Sequence, residues 1–276
     1  MISVIVHTRN EERMLPDCLA SVRWADEILV ADMASTDGTR QIAKDNGARI
    51  LDMPIVPLVD QVRNQAIAEA RHDWVLVLDA DERASEGLAH LLPTIASQPK
   101  AEAYAIPRKD LFLGVWLEHG SWPDHQTRYF RKGAVQWTPY VHEHPRISGK
   151  LIYLPPDPDV CLVHLAVTSL PSHLEKLARY SRLDAERLLH ILKPPVWPWL
   201  VRRPLGEFYG RYFRNQAWRH GMHGLVWSLV LAAYELQVAM NYWALRQNET
   251  PSLTSGGLRR QVRWEAIRSN LKWLRF

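Results

Sequence analysis

Four apolar runs punctuate the first eighty residues: Ser3–Val6, Ile28–Ala31, Arg49–Leu51 and Trp74–Leu78. The second and fourth, ILVA and WVLVL, are nearly continuous in aliphatic residues. A strand with one solvated face would alternate apolar with polar, so these runs predict strands covered on both faces. Between them, Glu12–Val22, Thr36–Asn46 and Asp60–Ala70 carry helical spacing, with Ser35 or Asp37 placed to cap the second helix. A βαβαβαβ order of this kind predicts an α/β fold with a Rossmann-like, mostly parallel central sheet.

From about 104 to 165 the runs shorten to Tyr104–Pro107, Thr127–Phe130 and Cys161–His164, set among loops rich in Trp, Pro, His and Gly. Residues 172–192 read as a helix, and the proline-rich break from Pro194 precedes a helical C-terminal region. The chain is thus divided into 1–110, 111–193 and 194–276. Gly224–Arg246 is the most hydrophobic segment, but Glu235, Gln237 and Asn241 interrupt it, which predicts a buried or interfacial helix rather than a membrane span. Near the end, Trp264, Ile267, Leu271 and Leu274 lie opposite Arg260, Arg263, Arg268 and Lys272 at helical spacing, the pattern of an interfacial helix.

Length and composition narrow the class. A chain of 276 residues accommodates one α/β domain and an appendage, and 47% hydrophobic with 23% charged residues excludes a disordered or multi-span chain. The opening MISVIVHTRNEE is too short in apolar residues for a signal-peptide core, and Cys18 and Cys161 offer neither a disulfide framework nor zinc spacing. A reducing cytoplasm is the expected home. The net charge of +4 is concentrated in the last third, where Arg202, Arg203, Arg211, Arg214 and Arg219 precede a second basic cluster. With 12 Trp in the chain, several beside these arginines, an anionic membrane surface is a better expected partner than nucleic acid. A merely solvated basic face is the equal alternative.

Ligands of open parallel sheets collect at the carboxyl ends of the strands, here Thr8–Glu11, Asp32 and Asp79–Glu82. Asp79 and Asp81, two residues apart on an extended chain, project to the same side and repel unless a cation joins them. Hard carboxylate oxygens suit Mg²⁺ or Mn²⁺, which leave positions open for phosphate oxygens. Asp-x-Asp alone is weak, since acidic residues at strand ends are often only solvated; its place after WVLVL, with Ser35-Thr36-Asp37-Gly38-Thr39 beyond the second strand, makes it specific.

Taken together, SVIVHTRNEE, ILVADMASTDGT, QVRNQAIAEARHDWVLVLDADE, WPDHQTRYFRKG, Val141-His142-Glu143 and the 219–224 stretch RHGMHG resemble the inverting family 2 glycosyltransferases of GT-A fold, in the branch of the lipopolysaccharide core β-glucosyltransferases. Met33-Ala34 departs from the acidic or small residue followed by Gly found in many relatives. The resemblance implies a nucleotide-sugar-binding half at 1–110, an acceptor-binding half at 111–193 and a helical extension. It further implies that Thr8, Asn10, Glu11 and Asp32 hold the base and ribose, that Arg63 contacts base or phosphate, and that Asp79 takes ribose or metal-bound water. Asp81 would bind the metal, with His164 completing that site or the diphosphate site. For Asp32, Arg63 and His164 the plainer roles are a helix cap, a surface ion pair and a satisfied core histidine.

An inverting displacement also needs a general base on the acceptor side, for which Glu143 and Asp124 are the candidates, Glu143 slightly preferred. Lys176, Arg179 and Tyr180 are weaker candidates for the diphosphate; Trp116, Trp122 and Trp137 serve either as sugar platforms or as packing. The implied activity is transfer of a hexose from a metal-bound nucleotide sugar, a UDP-sugar first, to a lipopolysaccharide-core or lipid-linked glycan on the inner face of the cytoplasmic membrane. Two other enzyme classes fit less well. A nucleotidyltransferase would carry a Gly-rich first loop, and an Asp-x-Asp phosphatase would place its pair after the first strand. A nucleotide-binding scaffold of the same fold without turnover is the non-enzymatic alternative.

Overall fold

Each of the four N-terminal apolar runs is a strand, extended by up to two residues at its ends. The computed structural model describes residues 1–138, 145–191 and 196–249. Its first part runs β1 (Ile2–Thr8), α1 (Leu15–Ser21), β2 (Glu27–Asp32), α2 (Thr39–Asp45), β3 (Arg49–Asp52), α3 (Asp60–Ala68) and β4 (Trp74–Asp79). There follow β5 (Glu82–Ala84), α4 (Glu86–Ser97), β6 (Ala103–Ile106), β7 (Arg108–Phe112), β8 (Val115–Trp116), β9 (Gln126–Arg131), β10 (Val135–Gln136), β11 (Arg146–Ile147), β12 (Leu151–Tyr153) and β13 (Leu162–Val167). The chain divides into two compact units, Met1–Ala166 and Val167–Phe276. The helix expected at 172–192 therefore belongs to the second unit.

The central sheet has the order β12-β6-β9-β4-β1-β2-β3. β4, β1, β2 and β3 pair in parallel, whereas β9 lies antiparallel between β4 and β6. Side-chain alternation sends Val4, Val6, Leu76 and Leu78 to one side, against Leu15 and Leu19 of α1 and Leu88 and Leu92 of α4. Ile5, Val75 and Val77 face the other side with Val62, Ala66 and Ile67 of α3. Both faces are thus covered, as the unbroken apolar runs require, and each aliphatic side chain so buried contributes about 1.5–3 kcal/mol.

Glu27 fastens one end of this sheet. Its buried carboxylate accepts from Ser3 Oγ (2.6 Å), Arg49 Nη2 (2.9 Å) and the Arg71 backbone N–H (2.8 Å), joining β1, β2, β3 and the approach to β4.

One local expectation is corrected, and one helix is unforeseen. Neither Ser35 nor Asp37 is the N-cap of α2; Gly38 is, without a side-chain cap bond. Asp37 Oδ1 instead accepts from Thr39 N–H (3.0 Å), while Ser35 Oγ accepts from Asn10 N–H. α4 has no counterpart in the sequence reading, although Ser85 Oγ caps it by accepting from Leu88 N–H (3.2 Å). Pro93 inside that helix obscures its period.

In the second unit, α5 (Leu170–Ile191) and α6 (Val196–Tyr209) are followed by a π-helical turn at Gly210–Arg214, a 3₁₀ turn at Ala217–His220, and α7 (Gly221–Glu249). Asn241 Nδ2 donates to Ser181 Oγ (3.0 Å) and Tyr234 Oη to Asp184, tying α7 to α5; Arg203 forks onto Glu235 (2.8 and 2.9 Å), tying α6 to α7. At Gly224 a Cβ would stand 1.8 Å from the Ala217 carbonyl oxygen, so the turn between α6 and α7 closes only over glycine. Among the described residues no helix is long and apolar enough to cross a membrane. The amphipathic stretch ending at Leu274 lies outside the described residues.

Candidate functional site

Strand register decides what meets at the sheet edge. Thr8 stands opposite Asp32, and His7 opposite Asp79, so β1, β2 and β4 deliver their polar ends together. Asn10, in the left-handed region at φ 56°, turns the chain out of β1. Its Oδ1 accepts from Thr36 N–H (2.8 Å), Glu11 N–H donates to Thr39 Oγ1 (2.8 Å), and Glu12 Oε2 accepts from Gly38 N–H (2.9 Å). Asn10 and Glu11 thereby stitch the loops after β1 and β2 into one wall. Asp32 is fully buried and accepts from Ser35 N–H and from Arg40 Nη1 (2.8 Å), and Arg40 also reaches Asp52. Arg40 carried no sequence signal, since one arginine in an exposed helical turn looks like solvent-facing charge.

The Asp79–Glu82 run is the hub of a buried ion network. Arg63 Nη2 forks onto Asp79 (2.8 and 3.0 Å), and Arg128 Nη2 bridges Asp79 (2.7 Å) and Glu82 (3.0 Å). Arg108 joins Glu82 (3.1 Å) to Asp124 (2.6 Å). Glu82 Oε2 also accepts from the Asp79 backbone N–H (3.0 Å), closing the turn between β4 and β5. Burial alone would raise the Asp79 pKa, but Arg63 and Arg128 beside it hold the carboxyl well below the usual range. His7, in contact with the same cluster, is driven down to about 3 by burial and by Arg63, so it stays neutral. Arg63 is therefore not a surface ion pair: it is buried, and among the described residues its Nη1 has no hydrogen-bond partner. Thr8 Oγ1 is likewise buried with no partner among the described residues, an arrangement that costs about 1–3 kcal/mol per group unless something else satisfies it.

Asp81 and His164 meet across the β4–β5 turn and β13, with Nε2 3.5 Å from Asp81 Oδ2. The other ring nitrogen, Nδ1, is held 2.7 Å from Asp110 Oδ1. Burial and Arg108 lower the His164 pKa, yet its bonds to Asp110 and Asp81 prevail and raise it to about 9. Asp81 and His164 fit a divalent cation as a two-residue donor set once the cation displaces the Nε2 proton that His164 otherwise keeps beside Asp81, with Asp110 holding Nδ1–H and orienting the ring. Among the described residues no group of three or more His, Cys, Asp or Glu is placed to hold a metal, so remaining ligands would be water or substrate oxygens. Asp79 is occupied by its two arginines.

Of the two base candidates, Asp124 follows the cis Trp122–Pro123 bond and has one oxygen on Arg108 and the other on Gln126 (2.9 Å). Glu143 lies outside the described residues. Trp137 packs in the core against Phe130 (5.3 Å between centroids), whereas Trp116 and Trp122 meet edge to face at 5.6 Å with Lys109 over Trp116. Lys176 and Arg179 lie over the ring of Tyr180 on α5, in the second unit.

The sequence profile of Glycosyl transferase family 2 matches residues 3–146, just over half of the chain. This chain belongs to glycosyl transferase family 2. As a family 2 glycosyltransferase it is 27% identical to Lipopolysaccharide core biosynthesis glycosyltransferase LpsC of Rhizobium meliloti (strain 1021), over 86% of this chain and 90% of that one. An uncharacterized glycosyltransferase of Rickettsia bellii (strain RML369-C) is 34% identical over 84% and 82% of the two chains. A TPR repeat-containing protein of Synechococcus elongatus is 40% identical over 41% of this chain, which covers only 28% of that protein's length. Among solved structures, S. aureus TarS 1-349 is similar at a TM-score of 0.44 and 15% identity, over 90% of this chain and 91% of that one. Glucosyl-3-phosphoglycerate synthase from Mycobacterium tuberculosis is similar at 0.33 and 22%, over 41% and 44%.

Proposed function

We propose that this family 2 glycosyltransferase moves a hexose, with inversion, from a metal-bound UDP-sugar to a hydroxyl of a lipopolysaccharide-core or lipid-linked glycan. The observation that carries this reading is the arrangement at the carboxyl end of β4, where Asp79 is fixed between two arginines while Asp81 and His164 converge as an oxygen and nitrogen donor pair. In this reading Thr8, Asn10, Glu11 and Asp32 line the base and ribose pocket, Asp79 accepts from a ribose hydroxyl, and the unpaired Arg63 Nη1 donates to the ribose or diphosphate. Mg²⁺ or Mn²⁺ on Asp81 and His164 would offset the charge that gathers on the leaving diphosphate. Glu143 or Asp124 takes the proton of the acceptor hydroxyl, with Arg108 orienting Asp124. The lipopolysaccharide-type acceptor rests on the LpsC similarity, and a cytoplasmic enzyme peripheral to the inner face of the membrane follows from such an acceptor.

The test is transfer itself. The purified protein is incubated with UDP-glucose, Mn²⁺ and truncated lipopolysaccharide acceptors, and the linkage formed is read by NMR. A β-linked product is expected, with turnover reduced about 10²–10⁴-fold in whichever of Glu143→Gln and Asp124→Asn removes the base. Bound nucleotide without transfer to any acceptor and without donor hydrolysis would instead favour the scaffold.

A further inference from the structure

Large apolar side chains exposed singly are ordinary, but an ordered row of them is not. Along α6 and the π-helical turn, Trp197, Val201, Leu205, Tyr209 and Phe213 recur every fourth residue and all face solvent, Leu205 and Tyr209 at 63% and 64% exposure. Every fourth residue is the ridge direction of a helix, the geometry that normally packs into a partner's groove. Trp218 and Met222 continue the exposed apolar surface past the turn. Over residues 196–222 the chain carries five arginines, Arg202, Arg203, Arg211, Arg214 and Arg219, against one acid, Glu207. Arg203 pairs with Glu235 and Arg211 with Glu207, and Arg202 and Arg214 are exposed on the same stretch.

We propose that this ridge is a docking surface for an anionic phospholipid bilayer, with the aromatic and aliphatic row entering the headgroup boundary and the arginines meeting lipid phosphates. Two features select this occupant. A second copy of the chain brought face to face by a two-fold axis would set one arginine-rich ridge against another, which disfavours self-association. Leu205, Val201 and Met222 are aliphatic groups with no use on a phosphate backbone, whereas an interfacial helix combines aromatic and aliphatic residues with arginine. The inference deepens the lipid-linked-acceptor reading by naming the surface that brings the enzyme to its substrate, and it rests on that reading for its purpose.

The test is sedimentation of the full chain with vesicles of phosphatidylcholine alone or with about a third phosphatidylglycerol. Co-sedimentation with the anionic vesicles is expected. Leu205→Glu/Tyr209→Glu should weaken it at least about tenfold, and Arg202→Gln/Arg214→Gln by up to about fivefold per arginine, with binding falling as salt rises. These positions are exposed, so both variants should keep the wild-type circular dichroism spectrum and UDP binding, which separates failure here from failure of the donor-site reading. Wild-type protein that ignores anionic vesicles would overturn the proposal. So would undiminished binding by Leu205→Glu/Tyr209→Glu, or binding that survives this change but vanishes on removal of residues 250–276, which would assign the contact to the tail.

Discussion

Among the described residues, four large apolar side chains are exposed in the first unit and twelve in the second, although the first unit is the longer. Buried polar groups are distributed the opposite way. His7, Glu27, Asp32, Arg63, Glu82, Asp110 and Arg128 are all interior in the first unit, whereas among the described residues of the second the buried polar groups are Ser181 and Ser228. A charge taken from water costs several kcal/mol unless paired, so an interior network of this kind is a poor way to gain stability and a good way to fix groups for chemistry. Exposed apolar surface is the mirror case, since water is the wrong solvent for it and a partner is the right one.

The comparison is broken most forcefully at Arg128. Arg128→Met leaves the fully buried Glu82 and the clamped Asp79 without their shared donor, and urea unfolding should show a loss of about 3–5 kcal/mol. Arg128→Lys should recover only part of it, because the single nitrogen that bridges Asp79 and Glu82 is placed by a rigid, weakly hydrated guanidinium, and a strongly hydrated ammonium on a flexible stem is harder to bury there. A loss under about 1 kcal/mol would mean that the network tolerates a gap and is not the rigid frame argued here.

Arg128 also shows where the sequence stops being legible. The strand ends of β1, β2 and β4 announced Thr8, Asp32 and Asp79 because a buried parallel strand is an unbroken apolar run with a polar stop. β9 lies reversed between β4 and β6, and that reversal brings Arg128 against Asp79. No local pattern encodes such a placement, and the same holds for Arg108 on β7 and for Asp110, which orients His164. The candidate carboxylates and Arg63 could thus be read from the chain, but Arg128 and Arg108, which fix those carboxylates from reversed or separate strands, could not.

In the second unit, Gly224→Ala should cost about 1–3 kcal/mol through the clash with the Ala217 carbonyl, measurable as faster amide exchange near the α6–α7 turn; an unchanged exchange pattern would mean that the turn relaxes. Smaller again is Glu27→Gln, at about 1.5 kcal/mol near neutral pH. Burial opposes the charged form of Glu27, but its bonds from Ser3, Arg71 N–H and Arg49 outweigh it and depress the pKa. Its contribution is therefore full above an unfolded pKa of about 4.3 and fades as pH falls through the lower folded value. The gap between wild type and variant should close below about pH 4; a gap independent of pH would show that packing, not charge, was lost. Least of all, Leu205→Glu should change stability by no more than about 0.5 kcal/mol, since the side chain already faces water, and a larger loss would place Leu205 in a core.

Calorimetric titration of UDP, with and without Mn²⁺, into wild type and Asp81→Ala tests the account at its centre. Binding that strengthens with Mn²⁺ in the wild type and loses that metal dependence in Asp81→Ala is the result predicted. Equal UDP affinity with and without metal in both proteins, or no binding in either, would contradict the assignment of the β4 edge as a metal-assisted donor site.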